Sequence, residues 1–236
     1  MRRRLSTFTE SLQRRLLRGE HLTLYGPRGS GKSLLLERLH ARIRSQAVPC
    51  GYCARTDSLD EITCALERAY PAVDTLRIAR RTERARLRDA AEHRPGVLLL
   101  DHFSCTGVAM TSFLRRLHGR IAGVLTAVDV DEEREQSQIK PWRYGALSVR
   151  MPLASSQQLK RLLADQWCTL RLPPLSEHLA RTLLRAARGR PGWIRVCTQL
   201  ARDGRYWRDE WPLGTVLIVD TEAAVRYRAL SMVRAD

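Results

Sequence analysis

The octapeptide Gly26-Pro-Arg-Gly-Ser-Gly31-Lys32-Ser33 constrains this chain more than any other feature. It follows the short apolar stretch His21–Tyr25 and precedes a helix-like segment, Leu34–Ser45. It fits G-x-x-x-x-G-K-[S/T] at every fixed position, in the strand–loop–helix setting that the motif needs. Glycines let main-chain N–H groups turn inward around phosphate oxygens, and the helix N-terminus adds a favourable dipole. In that chemistry Lys32 reaches the β- and γ-phosphates and the Ser33 hydroxyl ligates Mg²⁺. The expected nucleotide-contacting set is Gly26, Pro27, Arg28, Gly29, Ser30, Gly31, Lys32, Ser33 and Leu34, with ATP and Mg²⁺ as cofactors. A glycine-rich turn that matches by accident is the alternative.

Lysine is rare here, which makes Lys32 more telling. Of 41 Lys+Arg, 38 are Arg and 3 are Lys (Lys32, Lys140 and Lys160), against 25 Asp+Glu. The net charge of +16 favours a polyanionic partner, with DNA first. The arginines run from end to end instead of forming a tail, and GC-rich coding produces the same skew. The chain has 236 residues and a 44 % hydrophobic share, an ordinary globular mix long enough to bury a core without staples. Apolar runs such as Val97–Leu100 are far too short to cross a membrane. Polar residues follow the basic start where a signal peptide needs an apolar core. The expectation is a cytoplasmic protein, neither secreted nor membrane-bound. Six cysteines are scattered; Cys50-Gly-Tyr-Cys53 alone has redox- or metal-like spacing, and its neighbours place it in a buried strand.

Segments 7–18, 34–45, 58–69, 75–93 and 110–120 read as helices, and 21–25, 48–54, 97–101, 121–128 and 147–151 as strands. Ser58 with Glu61 has the capping-box pattern. Alternation of this kind predicts βαβ units and a mostly parallel five-stranded sheet flanked by helices. After Pro152 the pattern turns helical: 155–167, 176–188 and 193–202. Val216–Val219 reads as a strand and 221–233 as a helix, with no evident place. The expected organisation is an α/β nucleotide-binding domain over 1–153, a helical lid over 154–204 and a strand–helix extension over 205–236.

Asp101 ends the apolar strand Val97–Leu100, where a carboxylate can hold the hydration shell of the magnesium ion. A capping or surface aspartate is the alternative. His102 follows it, in the place where many such ATPases carry the glutamate that activates water. Imidazole can accept a proton near neutral pH; otherwise hydrolysis is slow and the protein acts as a nucleotide-gated switch. Thr126 is either a γ-phosphate sensor or a threonine satisfied within the sheet. Asp129, Asp131, Glu132 and Glu133 read as a solvated acidic loop. Arg143 is the first candidate for an arginine finger and Arg134 the second.

With the loop 26–33, Asp101, the Thr126 strand and a terminal helical segment in this order, the chain resembles the AAA+ ATPases. The pair Arg150-Met-Pro-Leu-Ala-Ser and Gly189-Arg-Pro-Gly-Trp-Ile194 is similar to the branch containing origin-recognition and transposition-associated ATPases. There the second segment is the sensor-2 turn, which places Pro191 in the nucleotide-contacting set. The resemblance covers about residues 10 to 203. Two positions depart from the pattern: His102 replaces the usual glutamate, and Gly192 replaces the usual sensor-2 arginine, with Arg190 and Arg195 as substitutes. The chain ends about 30 residues past the helical segment, shorter than the winged-helix DNA module of initiators.

The function these readings imply is an ATP–Mg²⁺-binding ATPase that assembles with itself or a partner, on DNA. The rival is a regulatory switch or scaffold with negligible hydrolysis and protein partners only. A small-molecule kinase lacks an evident acceptor site, and no Asn-Lys-x-Asp motif for reading guanine occurs.

Overall fold

The computed structural model describes residues 2–56, 58–71, 80–103, 108–130, 146–207 and 213–226. They fall into two units, Arg2–Gly26 with Lys32–Arg150, and Pro27–Gly31 with Met151–Asp236.

The first unit is α/β. In chain order it holds α1 (Arg2–Leu17), β1 (Leu22–Gly26), α2 (Lys32–Arg44), β2 (Cys50–Cys53), α3 (Leu59–Ala69), α4 (Arg80–His93), β3 (Val97–Leu100), α5 (Val108–His118), β4 (Gly123–Asp129) and β5 (Leu147–Arg150). The strands form one sheet in the order β2-β3-β4-β1-β5, and every pairing is parallel. A parallel sheet covered by helices needs strands that are apolar on both faces, and all four residues of Val97–Leu100 are buried. Leu98 and Leu100 join Ile62 and Leu66 of α3, Leu87 of α4, and Phe113 and Leu117 of α5 in one cluster. Ser58 caps α3 as its sequence implies: its Oγ accepts from the Glu61 N–H, and the Ser58 N–H donates to the Glu61 carboxylate. Cys50 and Cys53 are buried strand residues, and burial pushes the Cys50 thiol up to about 12.

The register fixes the ends of the strands. Gly26 pairs with Asp129, Thr23 with Thr126, and Leu100 with Thr126. The carboxyl ends of β1, β3 and β4 therefore gather Gly26, Asp101 and Asp129 along one edge, where open α/β sheets carry their ligands.

The second unit is helical: α6 (Ser156–Thr169), α7 (Glu177–Ala187), α8 (Pro191–Leu200), a 3₁₀ turn (Gly204–Trp207) and α9 (Leu213–Arg226). Ser155 and Gln158 form a capping box on α6, and the Ser176 hydroxyl accepts from the Leu179 N–H on α7. Arg188 and Gly189, both left-handed at φ +46° and +80°, end α7, and Pro191 opens α8. Leu159, Leu163, Leu183, Trp193, Ile194, Leu217 and Val225 share one core.

The strand expected over Val216–Val219 is the first half of α9. Its β-branched residues favour a strand in isolation. Leu217, Thr221 and Val225, however, recur at helical spacing and are all buried, while Val216 and Val219 are 45 % and 60 % exposed. Packing on α7 and α8 decides the conformation. Through α9, residues of the unplaced 205–236 segment enter the helical core.

Candidate nucleotide site

The end of β1 passes directly into the loop, and Lys32 opens α2 on its far side. Within the α/β unit the Lys32 side chain is almost wholly buried. Its Nζ donates to the Gly26 carbonyl at 2.6 Å and pairs with Asp129 Oδ1 at 2.8 Å. Asp129 Oδ2 faces His102 Nδ1 at 3.4 Å. Burial alone would raise the Asp129 pKa. The adjacent His102 ring and the ammonium of Lys32 outweigh it and hold this carboxyl well below the usual range. It is an anion at any physiological pH.

Asp101 is 2 % exposed. Its Oδ1 accepts from the His102 N–H at 2.9 Å, and its Oδ2 lies 3.5 Å from Tyr52 Oη and 3.9 Å from His102 Nε2. Its main chain is tied on both sides, to the Cys53 carbonyl and the Thr56 hydroxyl. His102 adopts φ +48°, a left-handed conformation unusual for a residue with a Cβ. That turn aims the ring at Asp101 and Asp129, so the imidazole sits between two carboxylates.

Within the helical unit the loop has its own geometry. Gly29 and Gly31 take φ +78° and +99°, which only glycine adopts freely, and the Ser30 N–H donates to the Pro27 carbonyl at 3.2 Å. Ser30 is 2 % exposed, and its Oγ has no hydrogen-bond partner among the described residues. A buried hydroxyl left unmet beside left-handed glycines fits a loop built to receive an anion's oxygens. The N-terminus of α8 joins this loop through main chain: the Gly192 N–H donates to the Gly29 carbonyl at 2.8 Å. A Cβ on Gly192 would lie 2.9 Å from Gly29 Cα and 2.9 Å from its oxygen. No side chain fits there. A glycine at 192, where the resemblance leads one to expect an arginine, allows this approach, and Pro191 precedes it at the start of α8.

Other expected residues fall differently. Thr126 is fully buried, with its hydroxyl 3.2 Å from Thr23 Oγ1 and 3.4 Å from the Leu22 carbonyl, so it is satisfied within the sheet. The strand end beside Lys32 is occupied by Asp129, three residues on, which is paired and largely buried instead of lying in a solvated acidic loop. Arg190 is committed to structure. It donates to Glu222 at 3.2 and 2.8 Å and to the carbonyls of Ala186 and Ala187, closing the end of α7. The Arg190 guanidinium in turn holds the Glu222 carboxyl below its usual range. Arg195 is exposed on α8. Ser33 and Leu34 occupy the first turn of α2. Arg143, Arg134, Asp131, Glu132 and Glu133 lie outside the described residues.

No family model matches this chain, and no curated protein does. Among solved structures, domain III of the Thermotoga maritima replication initiation protein DnaA is similar at 13 % identity and a TM-score of 0.52, covering 91 % of this chain and 90 % of that one. A DNA replication initiation factor is similar at 14 % identity and a TM-score of 0.53, covering 86 % of this chain and 62 % of that one. The chain spans less than two thirds of that second protein. At these identities the likeness concerns architecture. The chain has an α/β fold of the AAA+ kind, with replication-initiator domains among its structural neighbours. Among the described residues, no helix is long and apolar enough to cross a membrane.

Proposed function

We propose that this chain binds ATP with magnesium at the loop 26–33 and couples that binding to assembly with itself or a partner on DNA. The observation that carries the reading is Lys32, a buried ammonium at a helix N-terminus, held between the Gly26 carbonyl and the Asp129 carboxylate. A desolvated cation at the N-terminus of a helix suits phosphate oxygens.

The roles follow from position. The main-chain amides of 29–33 and the Lys32 ammonium bind phosphate oxygens. The Ser33 hydroxyl and Asp101 hold the metal, Asp101 being fixed in orientation by the His102 N–H. Magnesium, when bound, supplies positive charge against the phosphates. Leu34 and Pro191 border the nucleotide. Assembly and DNA are supported by the resemblance, by the net charge of +16 and by the replication-initiator neighbours. Arg143 of a neighbouring copy is the proposed arginine finger.

A second reading, a switch with negligible turnover, is favoured by His102 in the place of the glutamate base and by the bare main chain at Gly192. As general base His102 would take a proton from the attacking water. Its position between Asp101 and Asp129 suits an anchor for Asp129 better.

Calorimetry with ATP–Mg²⁺ tests the site. Lys32→Ala is expected to weaken binding by at least about 100-fold, roughly 3 kcal/mol, while the fold is kept. Normal binding by that variant, or no heat from any purine nucleotide on the native chain, removes the proposal. ATP turnover measured with and without duplex DNA separates the two readings: stimulation supports the ATPase, and a flat near-zero rate with tight binding supports the switch.

A further inference from the structure

Among the described residues, one cluster of arginines on the α/β unit outnumbers the carboxylates beside it. Helices α4 and α5 pack against each other, and around their last turns lie Arg88, Arg94, Arg116 and Arg120. The carboxylates available there are Asp89 and Glu92. Arg120 takes both, at 2.8 and 3.1 Å. Arg94 donates to the Ala47 carbonyl at 2.7 Å. Arg88 and Arg116 make no hydrogen bond or ion pair among the described residues, and Arg116 is exposed.

Arg88 is the informative member of the set. Its Nε is buried with no hydrogen-bond partner. Loss of hydration, then the nearby guanidinium groups of Arg116 and Arg120, lower its pKa against the weaker opposing pull of Asp89. An unmet buried donor on a cation, beside two like charges, costs free energy in the folded state. Aliphatic side chains would cover the helices without that cost. An anion beside the three guanidinium groups relieves the repulsion among them. The planar guanidinium fork suits phosphate oxygens bidentately, which a lysine does not.

Topology separates this patch from the nucleotide. Helix α5 returns the chain from the carboxyl end of β3 to the start of β4, and α4 ends just before β3 begins. The last turns of both helices therefore lie toward the strand starts, away from Lys32, Asp101 and Asp129 at the strand ends. A polyanion on this face leaves the nucleotide residues of the α/β unit uncovered.

We propose that the α4–α5 face centred on Arg88 and Arg116 docks the phosphate backbone of duplex DNA. The proposal rests on the reading above that DNA is the partner, and it locates the contact. Phosphate contacts fix position without reading sequence.

The test is equilibrium binding of the full chain to short labelled duplexes of unrelated sequence across a salt series. The chain is compared with Arg88→Gln, Arg116→Gln and the double variant, and ATP–Mg²⁺ affinity is measured on the same samples. Each lost phosphate contact is expected to make the slope of log affinity against log salt shallower by about 1, and the double variant by about 2. Affinity falls about tenfold or more, equally for every sequence, and ATP affinity does not change. Arg116 is exposed and can be replaced without touching the core, so that single variant reads the surface even if Arg88→Gln perturbs packing. An unchanged slope in the double variant overturns the surface while leaving DNA as partner. A native chain that binds ATP but no duplex overturns the surface and the DNA reading together, and spares the nucleotide site. Loss of polyglutamate binding in the double variant, with duplex binding intact, assigns the face to an acidic protein instead.

Discussion

The two units of this protein are held together by different means. In the α/β unit the sheet ladder satisfies the strand main chain, and large aliphatic side chains fill the core beside the strands: Leu22, Leu24, Leu98, Leu125 and Ile62 are each 0 % exposed. The helical unit has no ladder between its elements and uses large side chains with polar tips. Trp167 Nε1 donates to the Pro173 carbonyl, Trp193 Nε1 to Glu222, Trp207 Nε1 to the Ala201 carbonyl, and Tyr206 Oη to Asp220. Each ring covers apolar area while its tip pins a loop or a neighbouring helix. A sheet specifies its neighbours through register. A small helix bundle has to specify them through side-chain hydrogen bonds, and this one does so with indoles.

The largest test of that contrast is a pair of truncations. Trp193→Ala is expected to cost about 3–5 kcal/mol and Leu98→Ala about 2–5 kcal/mol. In amide exchange, Trp193→Ala should speed exchange across α6–α9 first, and Leu98→Ala across the strands first. Equal acceleration everywhere in either variant would show that the units open as one and would break the contrast.

Acid sharpens it from the other side. His21 stacks on His118 with ring centroids 3.4 Å apart at the start of β1, and Glu92 and Arg120 lie nearby. Burial, then the neighbouring His118, lowers the His21 pKa from 6.5 to about 4. The unfolded chain binds the extra proton between those values, so stability rises with pH there. It is fully present above about pH 6.5 and is lost as pH falls toward 4. Urea midpoints followed by strand amides should drop across that window, and His21→Asn should flatten the drop. An unaltered profile in His21→Asn would assign the acid response elsewhere.

The smallest effect is at a helix start. Ser155→Ala removes the capping box of α6 and should cost about 1 kcal/mol, read as a small shift in the urea midpoint of the helical unit alone.

Much of the α/β unit was legible because its signals are local. An apolar run such as Val97–Leu100, a glycine-rich loop between strand and helix, and a Ser-x-x-Glu box each carry their meaning within a few residues. Asp129 was not legible. Its contact with Lys32 exists because β4 pairs with β1 in a register that sets it opposite Gly26, and pairing between distant segments leaves no local trace. The available signal was that β4 neighbours β1, which directs attention to the residue at its end. Arg190 failed for a related reason: its partner Glu222 lies 32 residues on, in a helix whose β-branched start imitates a strand.

The main-chain contact between Gly192 and Gly29 also closes a route. Two backbones already touch there, so no side chain can be placed at 192 by substitution alone. The phosphate loop and the start of α8 would have to separate first, and the Gly192–Gly29 hydrogen bond would go with them. Any coupling between the loop and α8 through this contact passes as displacement of backbone, a mechanical linkage in place of an electrostatic one.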